Sequence, residues 1–206
     1  MGVSLQKGQG VNLRKEENDL DEIVIGLGWD VAPPKKTGVL GGLFGKKPAE
    51  YDLDAIAVVL GKNGKMQRPR LENGDVIFYN NLQHSSGCIR LTGDNRTGAG
   101  DGDDEQIIVR LNALPQEYDR IVFIVSIYDG AANKQSFGEV QNAFIRAVDR
   151  RGKELVRFDM SGNAGFSAYR SLVFAEVQRE GTGWTFRAIG QPHTTDKFVD
   201  LLQQFA

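Results

Sequence analysis

The sequence predicts a mainly β protein, a two-sheet β-sandwich with one or two peripheral helices. Many short apolar runs recur between clusters of turn residues, the spacing of an all-β architecture. Several of these runs alternate apolar and polar positions, so that one face of an extended strand can be buried. Only two segments carry helical spacing. A length of 206 residues suits one substantial core, and the expected organisation is a single domain over residues 1–206 with a flexible insertion at residues 33–50.

The first twenty residues read as a short edge strand and a turn, with Leu5 and the run Val11, Asn12, Leu13 set between glycines and a charged segment. Residues 22–29 (EIVIGLGW) place Ile23, Ile25, Leu27 and Trp29 on one face, and the strand ends at Asp30. Residues 33–50 are rich in Pro, Gly and Lys and read as a loop. Gly45 followed by Lys46 imitates a phosphate-binding loop, but Leu40 replaces its first glycine and Lys47 stands where Ser or Thr is required. Leu40, Leu43 and Phe44 between lysines are the one candidate for peripheral membrane contact, ranked below a flexible insertion.

Residues 52–60 (DLDAIAVVL) form a strand with Asp52 and Asp54 on the same side of its start. A turn at residues 61–64 (GKNG) follows, then short strands at 75–81, 88–91 and 105–111. Residues 120–128 (RIVFIVSIY) are almost continuously apolar and β-branched, as in a central strand covered on both faces. From Ser136 onward, Val140, Phe144, Ile145 and Val148 fall at helical spacing, with Ser136 as N-cap and Glu139 as its capping-box partner; a helix is expected there. Late strands are expected at 154–160, 168–178 and 185–190. A terminal helix over 196–205, capped by Thr195, would bury Phe198, Leu201, Leu202 and Phe205.

Composition narrows the function classes. Apolar content of 40%, charged content of 25% and a net charge of -2 describe a soluble protein without the basic stripe that nucleic acid demands. No run of residues approaches a transmembrane span, and the first ten residues have no apolar leader segment, so a cytoplasmic location is expected. Cys88 is the only cysteine, which fits the same compartment and reads as a small buried hydrophobe. His84 and His193 read as packing or surface residues, and no catalytic residue is assigned.

The chemistry concentrates in residues 91–109 (LTGDNRTGAGDGDDEQIIV). Asp94, Asp101, Asp103, Asp104 and Glu105 are set among Gly93, Gly98, Gly100 and Gly102, with Arg96 as the one cation. So many carboxylates in a short loop repel one another until a cation arrives. The loop offers oxygens and bendable backbone but no Cys or His, which points to calcium over zinc, copper or iron; magnesium, which keeps its waters, is the closer rival. It is not an EF-hand: counting from Asp101, Gln106 occupies the sixth position, where glycine is needed, and Asn112 the twelfth, where Glu is expected.

Six stretches together carry a resemblance: GWD at 28–30, DLDA at 52–55, FYNN at 78–81, TGDNRTGAGDGDDEQI at 92–107, FGEVQNAFIR at 137–146 and FRAIGQ at 186–191. The chain resembles the TerD family of bacterial tellurite-resistance and stress-response proteins over nearly its whole length. The resemblance implies a β-sandwich that binds calcium at acidic loops gathered at one end. It also implies a cytoplasmic, non-enzymatic role in resistance to tellurite and other chemical stress, alongside proteins encoded in the same stress operon. Carried over residue by residue, it makes Asp101, Asp103, Asp104 and Glu105 the main ligands, with a carbonyl from Gly100 or Gly102. Asp94 and Asn95 would join from the start of the loop, and Asp30, Asp52 and Asp54 from two earlier strands. These eight carboxylates exceed what one ion can bind, so two neighbouring calcium ions are expected. Arg96 and Ala99 depart from the family loop, where a leucine and an acid are usual, and the insertion at 33–50 is longer than the family pattern. Alternative readings are a metal-dependent enzyme built on the carboxylate cluster, or a small-ligand-binding protein.

Overall fold

The structure, a computed structural model, describes residues 3–13, 19–31, 51–92, 102–159, 165 and 167–206. The insertion expected at residues 33–50 lies outside the described residues, as do Asp94, Asn95, Gly100 and Asp101. Among the described residues, twelve strands form two six-stranded sheets. The first has the order β1(Val3–Ser4), β10(Glu154–Asp159), β9(Val140–Asp149), β3(Ile23–Val31), β7(Glu105–Val109), β6(Ile89–Thr92). The second has β2(Gly10–Leu13), β12(Gly183–His193), β11(Ser171–Glu180), β8(Tyr118–Ile127), β4(Leu53–Gly61), β5(Val76–Ile77). The N-terminal segment supplies an edge strand to each sheet, β1 in parallel with β10 and β2 antiparallel to β12. The expected β-sandwich is what the chain forms.

Alternation explains how the sheets face each other. Ile23, Ile25, Leu27 and Trp29 of β3 pack inward against Leu53, Ala55, Ala57 and Val59 of β4 and Ile121, Phe123, Val125 and Ile127 of β8. The other face of the second sheet is also covered: Ile56, Val58, Leu60, Val122, Ile124 and Val173 meet Phe198, Leu201 and Leu202 of α1(Phe198–Leu202). Burial of such side chains contributes about 1.5–3 kcal/mol each. This double cover is why β8 reads as one unbroken apolar run. Thr195 steadies the start of α1, its hydroxyl accepting from the Lys197 N–H at 3.0 Å and donating to Asp200 at 2.9 Å.

The helix expected from Ser136 is not formed. A short 3-10 turn, Phe137–Glu139, leads into β9, ten residues paired with β3 on one side and β10 on the other. Ser136 donates its hydroxyl to Ser167 O at 2.8 Å instead of capping a helix, and Glu139 accepts from the Tyr51 hydroxyl. Ala143, Ile145 and Ala147 alternate inward while Phe144, Arg146 and Val148 face out half-exposed. A register shift opposite Gly28 and Asp30, with Asn142 at φ 49°, puts both Val140 and Ala143 inward. That bulge makes a two-residue alternation imitate helical spacing, and two ladders of pairing decide in favour of the strand.

Candidate functional site

The three glycines Gly26, Gly28 and Gly102 let the acidic segment cross the outer face of the first sheet. A Cβ on Gly26 would lie 2.2 Å from the Asp103 carboxyl carbon, and one on Gly28 would lie 2.6 Å from the Gly102 carbonyl. Gly102 itself takes φ +104°, which a side chain would disfavour. Residues 102–104 therefore lie directly on β3, and the backbone fixes them there. Asp104 N–H donates to Leu27 O at 2.8 Å while its carboxylate accepts from Trp29 N–H at 2.8 Å.

Four of the expected ligands, Asp30, Asp103, Asp104 and the Gly102 carbonyl, lie along β3 between Gly26 and Asp30. Burial, the largest influence, pushes the Asp104 carboxyl above the ordinary aspartate range; the Trp29 hydrogen bond opposes it, and the negative charges of Asp30 and Asp103 add to it. The Asp103 carboxylate, 3% exposed, accepts from Arg146 Nε at 2.8 Å and Gln106 Nε2 at 3.2 Å. The Asp103 hydrogen bond is also the main reason the Arg146 guanidinium is pushed up. Asp30 is exposed and accepts from Asn142 Nδ2 at 2.7 Å. The Gly102 carbonyl lies over Gly28.

Glu105 connects this group to the second sheet. It is 2% exposed, faces into the sandwich, and its Oε2 accepts from the Ala55 N–H at 2.6 Å. The bonded amide belongs to the Asp54–Ala55 peptide, so the loop's last acid and the start of β4 touch directly. Asp54, buried, and Asp52, half-buried, lie on the opposite face of β4 from Leu53 and Ala55. There they join Tyr79, whose hydroxyl is pushed up by burial first, then by Asp54, Tyr128, Asp129 and Asp52. Asp129 sits at φ 49° where β8 ends.

The expected ligand set is thus divided. Asp30, Asp103 and Asp104 collect on the first sheet, Asp52 and Asp54 on the second, and Glu105 spans them. Among the described residues no three His, Cys, Asp or Glu side chains gather closely enough to hold a metal ion. The remaining candidates, Asp94, Asn95, Gly100 and Asp101, lie outside the described residues. The donor chemistry around β3 is oxygen throughout, which suits a hard cation. His84 and Cys88 are engaged elsewhere: His84 Nε2 meets Asp75 at 3.1 Å, and Cys88 Sγ donates to Ala113 O at 3.3 Å. Asp75 also accepts from Tyr118 at 3.0 Å, and that buried triad is structural.

Sequence reasoning missed Arg146, Gln106, Asp129 and Tyr79. Arg146 was hidden by the helix expectation; as a strand residue it faces outward in register with Gly26, whose missing side chain leaves room for Asp103. Asp129 reaches the site through the pairing of β4 with β8, and Tyr79 through that of β4 with β5, which no local pattern reveals.

Comparison with known proteins bears on this arrangement. The TerD domain family model matches residues 1–205. The chain belongs to the TerD family. It is 59% identical to tellurium resistance protein TerX of Serratia marcescens, over 100% of both chains. It is 42% identical to tellurium resistance protein TerD of the same organism, over 93% of this chain and 91% of that one. Stress response protein SCP2 of Bacillus subtilis (strain 168) is 37% identical over the full length of both. The fold matches that of a homologue of telluride resistance protein (TerD) from Streptomyces coelicolor A3(2), with a TM-score of 0.62, 20% identity, and coverage of 87% of this chain and 95% of that one. This TerD-family chain thus sits among proteins named for tellurium resistance and stress response, and none of those names is an enzyme's. Among the described residues no helix is long and apolar enough to cross a membrane.

Proposed function

We propose that this TerD-family protein is a calcium-ordered, non-enzymatic stress-response module of the cytoplasm, acting in resistance to tellurite and other chemical stress with proteins encoded beside it. The observation that carries the reading is Asp104: a carboxylate clamped by the backbone of β3, half-buried, and held above its ordinary range by burial with Asp30 and Asp103 alongside. A carboxylate in that setting is stabilised by a cation more than an exposed one is. Asp104, Asp103, Asp30 and Glu105, with Asp94, Asn95, Gly100, Gly102 and Asp101, are the proposed ligands of one ion, and Asp52 and Asp54, on the second sheet, are proposed to serve a second.

Binding to the folded state alone raises stability by RT ln(1 + [L]/Kd), about 2.7 kcal/mol at a hundredfold excess over Kd. The test is a thermal melt of the full chain, first freed of metal and then in millimolar calcium, for wild type and Asp104→Asn. Wild type is expected to gain several degrees with calcium, and Asp104→Asn much less. Identical melts with and without calcium would overturn the proposal. The non-enzymatic part of the reading is supported by the names of the relatives, none of which is an enzyme's.

A further inference from the structure

At the far end of the first sheet from the acids, where β3 begins and β7 and β9 finish, three arginines converge. Arg90, Arg110 and Arg150 line one open polar cavity of about 600 Å³, with Asp21, Glu22 and Asn112 on its wall. All three are exposed, and among the described residues none of their side chains has a hydrogen bond or ion pair. Arg120, Arg146, Arg157 and Arg187, by contrast, each meet a carboxylate. The two acids on the wall do not take the place of a ligand: Asp21 accepts from Asn112 Nδ2 at 2.7 Å, and Glu22 forms no ion pair with the arginines.

The backbone under the arginines is fixed. Arg110 N–H donates to Cys88 O at 2.8 Å, which ties the end of β7 to the approach to β6. Arg150 stands on a turn organised by buried Asp149, whose Oδ1 accepts from Arg151 N–H at 3.0 Å and Lys153 N–H at 2.9 Å. Arg90 projects from β6 between buried Ile89 and Leu91. Three guanidinium forks on a held frame, round a volume in the range of small-molecule sites, match phosphoryl oxygens better than a single point charge.

We propose that this cavity binds a small molecule carrying two or more phosphoryl groups, the arginines taking the phosphoryl oxygens while Asp21 and Glu22 accept from its hydroxyl or amino groups. The site is independent of the proposed calcium site, at the opposite end of the same strands. The probe is inorganic tripolyphosphate, titrated calorimetrically into the full chain after passage over a chelating resin. Saturable binding of one tripolyphosphate per chain is expected, weakened about tenfold or more in Arg110→Gln with Arg150→Gln. Lys134→Gln, in the turn after β8 at the opposite end of the sandwich, is expected to leave it unchanged, and Glu22→Gln to tighten it by removing a like charge. Absence of saturable heat, equal affinity in the double variant, or binding to anionic vesicles with none to tripolyphosphate would each overturn the proposal. The calcium melt on the same variants verifies that they fold and keeps a failure of the calcium reading separate.

Discussion

The two ends of the first sheet handle charge in opposite ways. At the end where β3 finishes, the carboxylates of Asp103 and Asp104 are taken partly out of water and held by the fold itself, through Trp29 N–H, Gln106 and Arg146. Beyond the start of β3 at Ile23, roughly 10–15 Å along the strand from Gly26 and Leu27, on which Asp103 and Asp104 rest, Arg90, Arg110 and Arg150 stay exposed with no protein acceptor among the described residues. Charges that the backbone has already positioned lose little freedom on meeting a cation, and their mutual repulsion is a cost carried by the metal-free fold. Exposed arginines carry no such cost, so their affinity for anions should fall steeply with salt. One strand pair can therefore support a rigid cation site and a solvated anion site without either disturbing the other.

Changes at the acid end should have the larger effect on the fold, and the widest gap should come from Glu105. Glu105→Ala leaves the buried Ala55 N–H without its acceptor, and we expect a loss of about 2–3 kcal/mol in denaturant unfolding. Glu105→Gln keeps an acceptor there and should lose far less stability while weakening calcium binding. Equal losses from the two would mean that the inter-sheet bond is not what matters. Gly28→Ala comes next: its Cβ would meet both the Gly102 carbonyl and the Phe144 ring, so a cost of about 1–3 kcal/mol is expected, together with a reduced calcium response as residues 102–104 shift.

A smaller effect should separate the ends by pH. The folded pKa of Asp104 is raised, so its carboxyl favours the folded state while protonated and loses that contribution as pH rises from the ordinary aspartate range through the folded pKa. Metal-free wild type should therefore lose stability over that window, and Asp104→Asn should remove that part of the slope. Removing one of three neighbouring like charges should also raise the metal-free Tm at neutral pH by roughly 1–2 °C. At the arginine end, Arg110→Gln with Arg150→Gln should change stability by less than about 0.5 kcal/mol. A pH slope unaltered in Asp104→Asn would erase the distinction between the ends.

Much of the sandwich could be read in advance because its signals are local. Ile23, Ile25, Leu27 and Trp29 declare an inward face, and the unbroken apolar run of β8 declares cover on both sides. β9 was illegible for a physical reason: a bulge at Asn142 put Val140 and Ala143 on the same side and blurred the two-residue period. The acidic segment announced its chemistry through composition, yet not its support. That Gly26 and Gly28 make room for it, that Arg146 holds Asp103, and that Glu105 reaches Ala55 all depend on strand neighbours far apart in the chain. The arginine cavity gave no sequence signal, since Arg90, Arg110 and Arg150 are separated by 20 and 40 residues.

The most direct measurement is a calorimetric titration of calcium into the metal-free full chain, beside Asp103→Asn with Asp104→Asn. Wild type is predicted to take up two calcium ions per chain, and the double variant to lose at least one of them. A flat titration of the wild type, one ion per chain, or the same isotherm in both proteins would contradict the account.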